Sequence, residues 1–501
     1  MGAAQLFAAF CGGSNTERSL AIDAEQTTNL FRATVEAQGA AKSATLVGTP
    51  GTRQLGEVVT GDPTVAGRGV FTQDGVSWTV LGGGLYEVTV NPWTATFRGF
   101  VADDHQPVSW ASNGDVMLLT ADPPPPPQLA FVSGGNLYVL DRLTNILALV
   151  ALPLMNAPRQ IGFIDGYFVL LERDSPRWYF TFGSALVWDA LDVIVRQTAS
   201  DNFVALAVAN NRVWGFGSET SEAFEDVGDE DTPFQPIKGS LFQIGCAAPW
   251  SVSIGVNTLR WLGRSSRGGA MVYRLDGYGG ARISTHAIEQ ALEKAATLVD
   301  CEALTYDQDG HLFYALTCPS VGTNGWTPVW DETEQQWHKR SWWNQALARE
   351  EAWRVRGHAY IGATHLVGSR DSSVMWALDL ETYDDAGALL RAARRAPYLG
   401  ADNGWVFLDE IELGIESGSG LNLGQGRDPQ ALLNISTDSG KTWTSAGMAP
   451  LGKMGETEAS CIWRRCGRAR LDRLVLEVVI TDPVKRVLGP GLWIRATPGL
   501  P

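Results

Sequence analysis

Cysteine and histidine are scarce in this 501-residue sequence, which contains six of each. Six cysteines spread over a chain of this length are too few for a disulfide scaffold, and none has the spacing of a zinc site. We therefore expect reduced thiols, no bound metal and no cofactor. The apolar run 146–152 ends at Pro153 and is too short to cross a bilayer, so we expect no membrane anchoring.

Basic residues are outnumbered, because 39 lysines and arginines face 55 aspartates and glutamates, for a net charge of -16. Sequence-independent affinity for nucleic acid comes from cationic contacts to phosphates. The charge balance therefore excludes a protein that grips nucleic acid through a broad basic surface.

Catalytic motifs are missing as well. The sequence contains no G-x-S-x-G elbow, no phosphate-binding P-loop and no H-E-x-x-H zinc motif. A catalytic pair of carboxylates needs a fixed separation that a sequence does not reveal, and 55 acidic residues make chance pairs common. We expect that the protein is not an enzyme.

Turn-forming residues and tryptophan are abundant, with 55 glycines, 24 prolines and 19 tryptophans. Glycine and proline at this density favour many short strands over long helices. Tryptophan supplies the large flat bodies that fill wide interfaces between sheets. The composition predicts an all-β protein.

A hairpin pattern repeats along the chain: an apolar stretch, a tight polar turn and a second apolar stretch. A second hairpin follows several of these, as in LYEVTVNPWTATF and MWALDLETYDDAG. Two hairpins per unit make a four-stranded blade, so the pattern predicts a β-propeller of about seven blades, with six or eight also open. Two stacked β-sandwiches are the alternative fold. The predicted first turns centre on Gly75, Gly114, Gly166, Asn211, Asn257, Gly310 and Thr364.

The pattern divides the chain into three parts. Residues 1–60 are predicted as an N-terminal extended segment and residues 61–395 as the propeller. Residues 396–501, where longer alternating strands begin, are predicted as a C-terminal β-sandwich-like domain that packs by itself or closes against the propeller.

Two segments interrupt the strand pattern. Residues 283–299 have apolar residues at helical spacing after a cap at Ser284 or Thr285, and this helix either packs between blades or contacts another subunit. Pro123–Pro127 form a stiff connector or, alternatively, a docking ligand for an aromatic groove. The candidate subunit contacts on the helix are Ser284, His286 and Glu289.

Charged residues cluster in two places. The stretch 219–231 is acidic, and it is either a solvated loop or a negatively charged wall with a functional role. Its acidic residues are Glu219, Glu222, Glu225, Asp226, Asp229, Glu230 and Asp231. Five arginines between positions 464 and 473 predict ion pairs between sheets or a subunit contact. The candidate contact residues there are Arg464, Arg465, Arg468 and Arg470.

One motif, S-x-D-x-G-x-x-W, is the Asp-box of sialidases and other β-rich proteins. Here its aspartate accepts backbone N–H bonds, its glycine adopts an awkward φ and its tryptophan packs beneath, which predicts a structural hairpin turn. A single copy indicates nothing about catalysis. The residues are Ser436, Asp438, Gly440 and Trp443.

Several stretches together resemble the packaged-DNA stabilisation proteins of short-tailed bacteriophages, also called tail accessory or hub proteins. The N-terminal residues 23–55, with NLFRATVE and GTPG, are similar to the opening of that family, although NLFRATVE departs from its Tyr-Pro-Glu. The most specific parts are residues 245–292 and the ending, IWRRCGRAR and ITDPVKRV. The resemblance covers nearly the whole chain.

The resemblance implies a structural protein of the virion tail, assembled in the host cytoplasm. Copies of the chain, six in the family's pattern, are expected to form a ring below the head-to-tail connector. The ring would extend the DNA channel, retain packaged DNA and anchor tail spikes, fibres or a needle. Duplex DNA would pass without specific binding, and we expect residues 219–231 at the channel wall or its rim.

Two other classes of function stay open on the sequence. A carbohydrate-binding tail adhesin would use the 19 tryptophans as stacking platforms. A sialidase-like glycoside hydrolase would need several Asp-boxes, an arginine cluster and a paired tyrosine and glutamate, which we do not find.

Overall fold

Two-residue turns between short strands generate most of the fold. Both turn residues have positive φ at Asp74 and Gly75, at Asp165 and Gly166, and at Asn210 and Asn211. Aspartate, asparagine and glycine enter this conformation at low cost, so these pairs reverse the chain tightly. The computed structural model describes residues 4–34, 44–59, 61–62, 64–114, 126–153, 155–229, 231–256, 258–265, 268–400 and 403–499.

The N-terminal segment is not simply extended but contains six strands, which join several different sheets. They are β1 (Gln5–Phe7), β2 (Asn15–Thr16), β3 (Ala24–Thr28), β4 (Leu30–Thr34), β5 (Ala44–Gly48) and β6 (Gly51–Glu57), with a 3-10 turn at Ala8–Phe10.

Seven antiparallel sheets follow one another as the blades of a β-propeller, and the first four have four strands each. Blade 1 comprises β7 (Gly67–Gln73), β8 (Val76–Leu81), β9 (Gly84–Thr89) and β10 (Thr94–Phe100). Blade 2 comprises β11 (Ser109–Ser112), β12 (Gln128–Ser133), β13 (Asn136–Asp141) and β14 (Ile146–Val150). Blade 3 comprises β15 (Pro158–Ile164), β16 (Tyr167–Glu172), β17 (Arg177–Phe182) and β18 (Val193–Val195). Blade 4 comprises β19 (Phe203–Ala209), β20 (Arg212–Gly217), β21 (Ser221–Asp226) and β22 (Phe234–Pro236).

The last three blades are less regular. Blade 5 comprises β23 (Gly245–Cys246), β24 (Ser253–Gly255), β25 (Thr258–Ser265), β26 (Gly268–Asp276) and β27 (Gly279–Arg282), with a 3-10 turn at Pro249–Ser251. The helix α1 (His286–Glu293) leads to blade 6, which comprises β28 (Glu302–Gln308), β29 (His311–Thr317), β30 (Thr327–Asp331) and β31 (Gln336–Arg340). A hairpin of β32 (Trp342–Asn344) and β33 (Arg349–Glu351) precedes blade 7, whose strands are β34 (Val355–Ile361), β35 (Thr364–Ser369) and β36 (Val374–Asp379).

Blade 7 takes its fourth strand from the N-terminal segment. Strand β6 pairs antiparallel with β36, from Gly51 opposite Asp379 to Glu57 opposite Val374. The sequence pattern MWALDLETYDDAG had predicted a local hairpin there, and that prediction is wrong because the partner strand lies about three hundred residues earlier. The innermost strands β34 and β7 then contact each other, so the ring of blades closes.

The C-terminal domain is a sandwich of two antiparallel sheets. Its own strands are β37 (Ala392–Arg395), β38 (Trp405–Ile415), β39 (Gln430–Ser436), β40 (Thr444–Pro450), β41 (Cys461–Arg470), β42 (Val475–Ile480) and β43 (Val487–Pro498), with a 3-10 turn at Leu471–Arg473. One sheet has the order β4-β5-β43-β38-β41 with β1 on β43, and the other has the order β3-β37-β42-β39-β40 with β2 on β3. The second sheet continues into blade 6, since Thr28 of β3 pairs with Lys339 of β31.

Apolar side chains fill the space between the two sandwich sheets and between neighbouring blades. Leu46, Ile411, Leu476 and Leu492 are fully buried or nearly so in the sandwich core. Between blades 3 and 4, the ring of Trp178 packs edge-on against the rings of Phe224 and Phe234. Such aromatic contacts add to the free energy of burial and hold adjacent blades in one orientation.

The predicted fold class, an all-β chain with a propeller and a C-terminal sandwich, is confirmed, and the sheets number seven blades. Several details differ. The helix is shorter than 283–299. The second strand predicted after the turn at Gly114 lies outside the described residues, and β11, which ends at Ser112, pairs with β12, which begins at Gln128. The turn near Thr364 uses Gly362 and Ala363. Asn257 and most of the proline run lie outside the described residues.

Two further features concern the described residues alone. No helix among them is long and apolar enough to cross a membrane. The six cysteines are unpaired thiols, and burial raises the pKa of several, to about 11 for Cys246.

We expect the substitution Gly56→Ala to destabilise the closed propeller. A Cβ atom at Gly56 of β6 would lie 2.0 Å from Nε1 of Trp93, in blade 1. Overpacking of this kind lowers the free energy of unfolding by about 1–3 kcal/mol, measured by urea denaturation. Gly279→Ala is the matched control, because the nearest atom to its Cβ lies 3.7 Å away. Equal stability of the two variants would contradict the described packing of β6.

Candidate interaction surfaces

The innermost strands of all seven blades surround an axial cavity of about 580 Å³. Its wall includes the side chains of Trp110, Gln160, Glu302 and His358. Burial lowers the pKa of His358 to about 3, so its imidazole is neutral near pH 7. The cavity has the size of a small-molecule site, for which volumes of about 300–1,000 Å³ are usual.

Three arginines, each near the start of an innermost strand, bond to the next blade or to the connection that leads to it. Arg159 of blade 3 donates to the carbonyl oxygen of Val204 in blade 4, and Arg356 of blade 7 donates to that of Gly67 in blade 1. Arg68 of blade 1, only 1% exposed, donates to the carbonyl oxygens of Gln106, Ala102 and Gly82 and is paired with Asp104. These charge-assisted bonds satisfy carbonyls at one end of the cavity. In the sequence, each of these arginines is the second residue of its strand, and this recurrence was the signal that could have identified them.

Helix α1 packs inside the subunit. Ile288 and Leu292 are buried in a cluster shared by blades 5 and 6. Of the predicted contact residues, Ser284 and Glu289 are buried and hydrogen-bonded to each other at 2.7 Å, whereas His286 is exposed. Arg282 holds the Glu289 carboxylate from outside. Packing between blades accounts for the helix, and a part in a subunit contact stays a prediction.

The acidic stretch is not one solvated loop, because half of it is strand β21. Glu222 points inward and is buried against the guanidinium of Arg196, 2.6 Å away. Glu219, Glu225, Asp229 and Asp231 are exposed and Asp226 is half-buried, all at the outer part of blade 4 and away from the axial cavity. Glu230 lies outside the described residues. A position on a channel wall stays a prediction for the exposed members.

The predicted arginine cluster lies on strand β41, the edge strand of one sandwich sheet. Side chains on the outer side of β38 and β41, all exposed except the half-buried Arg470, form a surface that we call the arginine face. The guanidinium of Arg468 lies 4.0 Å over the ring of Trp405 and 6.0 Å from that of Phe407. Its members are Trp405, Phe407, Arg464, Arg465, Arg468 and Arg470. Charged residues and a bulge at an edge strand also discourage pairing with other strands.

Carboxylates of β38 and of the turn after β41 border the arginine face. Glu410 is shared by Arg464, at 3.0 Å, and Arg495, at 3.3 Å. Asp472 is likewise shared by Arg470 and Arg473. Asp409 and Glu412 of β38 lie on the same side of the sheet. Arginines still outnumber carboxylates among the described residues, since Asp409, Glu410, Glu412 and Asp472 stand against Arg464, Arg465, Arg468, Arg470, Arg473 and Arg495.

One surface was missed by the sequence reasoning. We call it the blade 3–4 edge, and it joins the connection between β17 and β18 to the connection between β21 and β22. Its exposed apolar residues are Phe182, Leu186, Val187, Leu191, Val195 and Val227, with Val187 73% and Leu191 85% exposed. Its acidic residues are Asp189, Asp192, Glu225, Asp226, Asp229 and Asp231. The apolar run ALVWDALDV was the available signal, but it does not alternate and so indicates neither a strand face nor a surface.

The Asp-box forms the hairpin turn between β39 and β40. The Asp438 carboxylate accepts the backbone N–H groups of Lys441 and Thr442 and the Thr442 hydroxyl, and Ser436 donates to it at 2.8 Å. Gly440 has a φ of +83°. These bonds, with the backbone N–H of Thr442 foremost, lower the pKa of Asp438 to about 2.

Metal ligands do not converge within the described part of the chain. No group of three or more histidine, cysteine, aspartate or glutamate side chains is placed there to hold an ion.

Two family models match the sequence in succession. The model of the bacteriophage P22 Gp10 β-propeller matches residues 13–383, and the model of the P22 Gp10 β-sandwich matches residues 392–488. The two matches meet between blade 7 and β37 and cover most of the chain. No curated protein matches the sequence.

Solved structures with similar folds are distant. The N-terminal domain of Nup159 has 10% identity and a TM-score of 0.42, and covers 70% of this chain and 98% of its own. The Pan2 WD40 domain of Neurospora crassa has 11% identity and a TM-score of 0.40, covering 66% and 96%. YCF48 from Cyanidioschyzon merolae has 11% identity and a TM-score of 0.41, covering 66% and 99%.

We expect the Asp438 carboxyl to titrate near pH 2 in the folded protein, measured by NMR of its side-chain carbon. Since the folded pKa lies below the ordinary value of 3.8, the turn stabilises the sandwich above about pH 4, and this contribution disappears as the pH falls towards 2. Thr442→Val removes the hydroxyl donor to Oδ2 but keeps the backbone donor, and it should raise the pKa part of the way to 3.8. Titration of the unmodified protein near pH 4 would contradict the described turn.

Proposed function

The chain belongs to the bacteriophage P22 Gp10 family and is a structural protein of the phage tail, and we propose that several copies of it form the hub, or nozzle, ring below the head-to-tail connector. In this role the ring, a hexamer in our proposal, extends the DNA channel, retains packaged DNA and anchors the distal tail parts during genome ejection. The observation that carries the proposal is the match of both domains, in order, to that family.

The size of the axial cavity supports a ring of several copies rather than a single propeller as the conduit. Duplex DNA, whose major groove alone is about 12 Å wide, does not fit into a cavity of 580 Å³. A DNA channel made by this protein therefore has to lie between copies. Closed propellers suit this role, because their faces are rigid platforms that carry loops for docking.

The charge of the chain supports passage of DNA without binding. A net charge of -16 per copy makes the overall interaction of the chain with phosphates repulsive. A conduit with many cationic contacts would hold DNA with strongly salt-dependent affinity and slow its exit. An acidic or neutral wall avoids this binding.

The arrangement of the tryptophans argues against the adhesin alternative. Of the 19 tryptophans, only Trp405 is exposed, at 36%, and the guanidinium of Arg468 already lies over its ring. A sugar would need open aromatic faces for stacking. The single Asp-box is fully engaged in its own turn, so the motif shared with sialidases offers no group to a substrate.

We expect the purified full-length chain to assemble on purified head-to-tail connector complexes of its phage. Sedimentation through a density gradient should place both proteins in one species of fixed stoichiometry, and negative-stain electron microscopy should show an added ring. A duplex of 100 base pairs should not be retained by the free chain, even at about 50 mM salt, because cationic contacts are few.

The failure of the chain to migrate with connector complexes or with any other tail protein would refute the hub assignment. Connector complexes alone are the control for the added density. Hydrolysis of a chromogenic sialoside by the chain would instead support the glycosidase alternative.

A further inference from the structure

The blade 3–4 edge is a built surface rather than two loose loops. Trp188 is buried beneath it and donates to the carbonyl oxygen of Ala185 at 2.8 Å, while Thr181 donates to that of Val187. Leu191 N–H donates to the Asp189 carboxylate. These bonds fix the connection that presents Leu186, Val187 and Leu191 to solvent.

The two halves of this edge are adjacent. Strand β18 of blade 3 and strands β21 and β22 of blade 4 together line a cavity of about 320 Å³. Burial, with the charges of Asp226 and Asp192, raises the pKa of Tyr167, so carboxylates of both blades lie near one ring. The rings of Phe182 in blade 3 and Phe234 in blade 4 both pack on Tyr167. The exposed Phe182 and Val195 of blade 3 therefore lie beside strands β21 and β22, which carry Glu225 and Asp226.

Among the described residues, the carboxylates of the edge are not paired with cations. Across the described ranges, no lysine, arginine or histidine nitrogen lies within 4.0 Å of Asp189, Asp192, Glu225, Asp226, Asp229 or Asp231. The surface thus combines exposed apolar groups with uncompensated negative charge, and large exposed apolar patches mark interaction sites.

The arginine face has the opposite character. It combines the exposed aromatic rings of Trp405 and Phe407 with more arginines than carboxylates. Tryptophan and arginine are the residues most enriched at the energetic centres of protein interfaces.

The two surfaces lie on different sides of the molecule. The sandwich joins the propeller at blade 6, through β3 and β31, and β6 of blade 7 leads from the same segment. Blades 3 and 4 are separated from these by blade 5 on one side and by blades 1 and 2 on the other. The surfaces cannot meet within one copy, but they can meet between copies.

We propose that the blade 3–4 edge of one copy docks on the arginine face of the next copy around the ring. This rests on the proposed function, which requires a ring, and it assigns the carboxylates to the contact between copies instead of the channel wall. Two different, complementary patches on one chain make a head-to-tail contact, the type that closes into rings. The apolar groups supply the buried area, and the charges set the orientation and the rate of association.

Charge-reversal variants test the proposal on connector complexes. Variant R carries Arg464→Glu, Arg465→Glu and Arg468→Glu. Variant D carries Asp192→Lys, Glu225→Lys and Asp231→Lys, whose carboxylates accept no hydrogen bond in the described residues. For each variant alone, the concentration at half-maximal ring formation should be at least about tenfold higher than for the unmodified chain, because like charges then face each other. Melting temperatures should change little, since surface charges contribute weakly to folding and, of the substituted residues, only Asp192 is half-buried.

A mixture of R and D gives the decisive result. In an alternating ring, the glutamates of R meet the lysines of D, and the arginines of D meet the native carboxylates of R. We expect the mixture, but neither variant alone, to assemble at nearly the unmodified concentration, as measured by gradient sedimentation with electron microscopy. The control variant Arg53→Glu, in which an exposed arginine of blade 7 is reversed, should assemble normally.

Normal assembly of R and D alone, or no recovery in the mixture, would overturn this contact. Normal assembly of D together with slowed or salt-sensitive genome release would overturn it in favour of a channel wall. The proposed function fails separately, if the unmodified chain forms no ring on connectors.

Discussion

Closure of the propeller by a strand from the N-terminal segment is the constraint on which the rest of the structure depends. Strand β6 completes blade 7 by pairing with β36, and the chain immediately before it supplies β3, β4 and β5 to the sandwich. An open propeller would expose unpaired strand edges, which are sites of aggregation. One short segment therefore closes the ring and also contributes strands to the sandwich, so it joins the two domains.

The closed ring determines what the protein can and cannot carry. Inter-blade arginines such as Arg68 and Arg356 tie the inner strands together at one end of the axis, and the cavity they border is far too small for duplex DNA. The proposed hub role therefore depends on the outer surfaces of the chain. Those surfaces differ in charge, with a negative and apolar edge at blades 3 and 4 and an arginine-rich face on the sandwich.

Much of the architecture could be predicted from local pattern. Turn pairs such as Asp165 and Gly166 identified most of the inner hairpins, since their positive φ is a property of those residues themselves. The Asp-box could be predicted for the same reason, because every bond to Asp438 comes from within a few residues. The roles of Glu222 and Glu289 were less accessible, because partners within the fold turn these charged side chains inward.

The sequence by itself determined the all-β class, the repeat of blades, the sandwich and the family, because these follow from periodicity, turn chemistry and motifs within short windows. Only the tertiary structure decided that β6 belongs to blade 7 and that the exposed Phe182 and Val195 of blade 3 lie beside strands β21 and β22 of blade 4. Such contacts join residues far apart in the chain or on neighbouring blades. Local propensity carries no information about them, since they are selected by the packing of whole sheets around a closed ring.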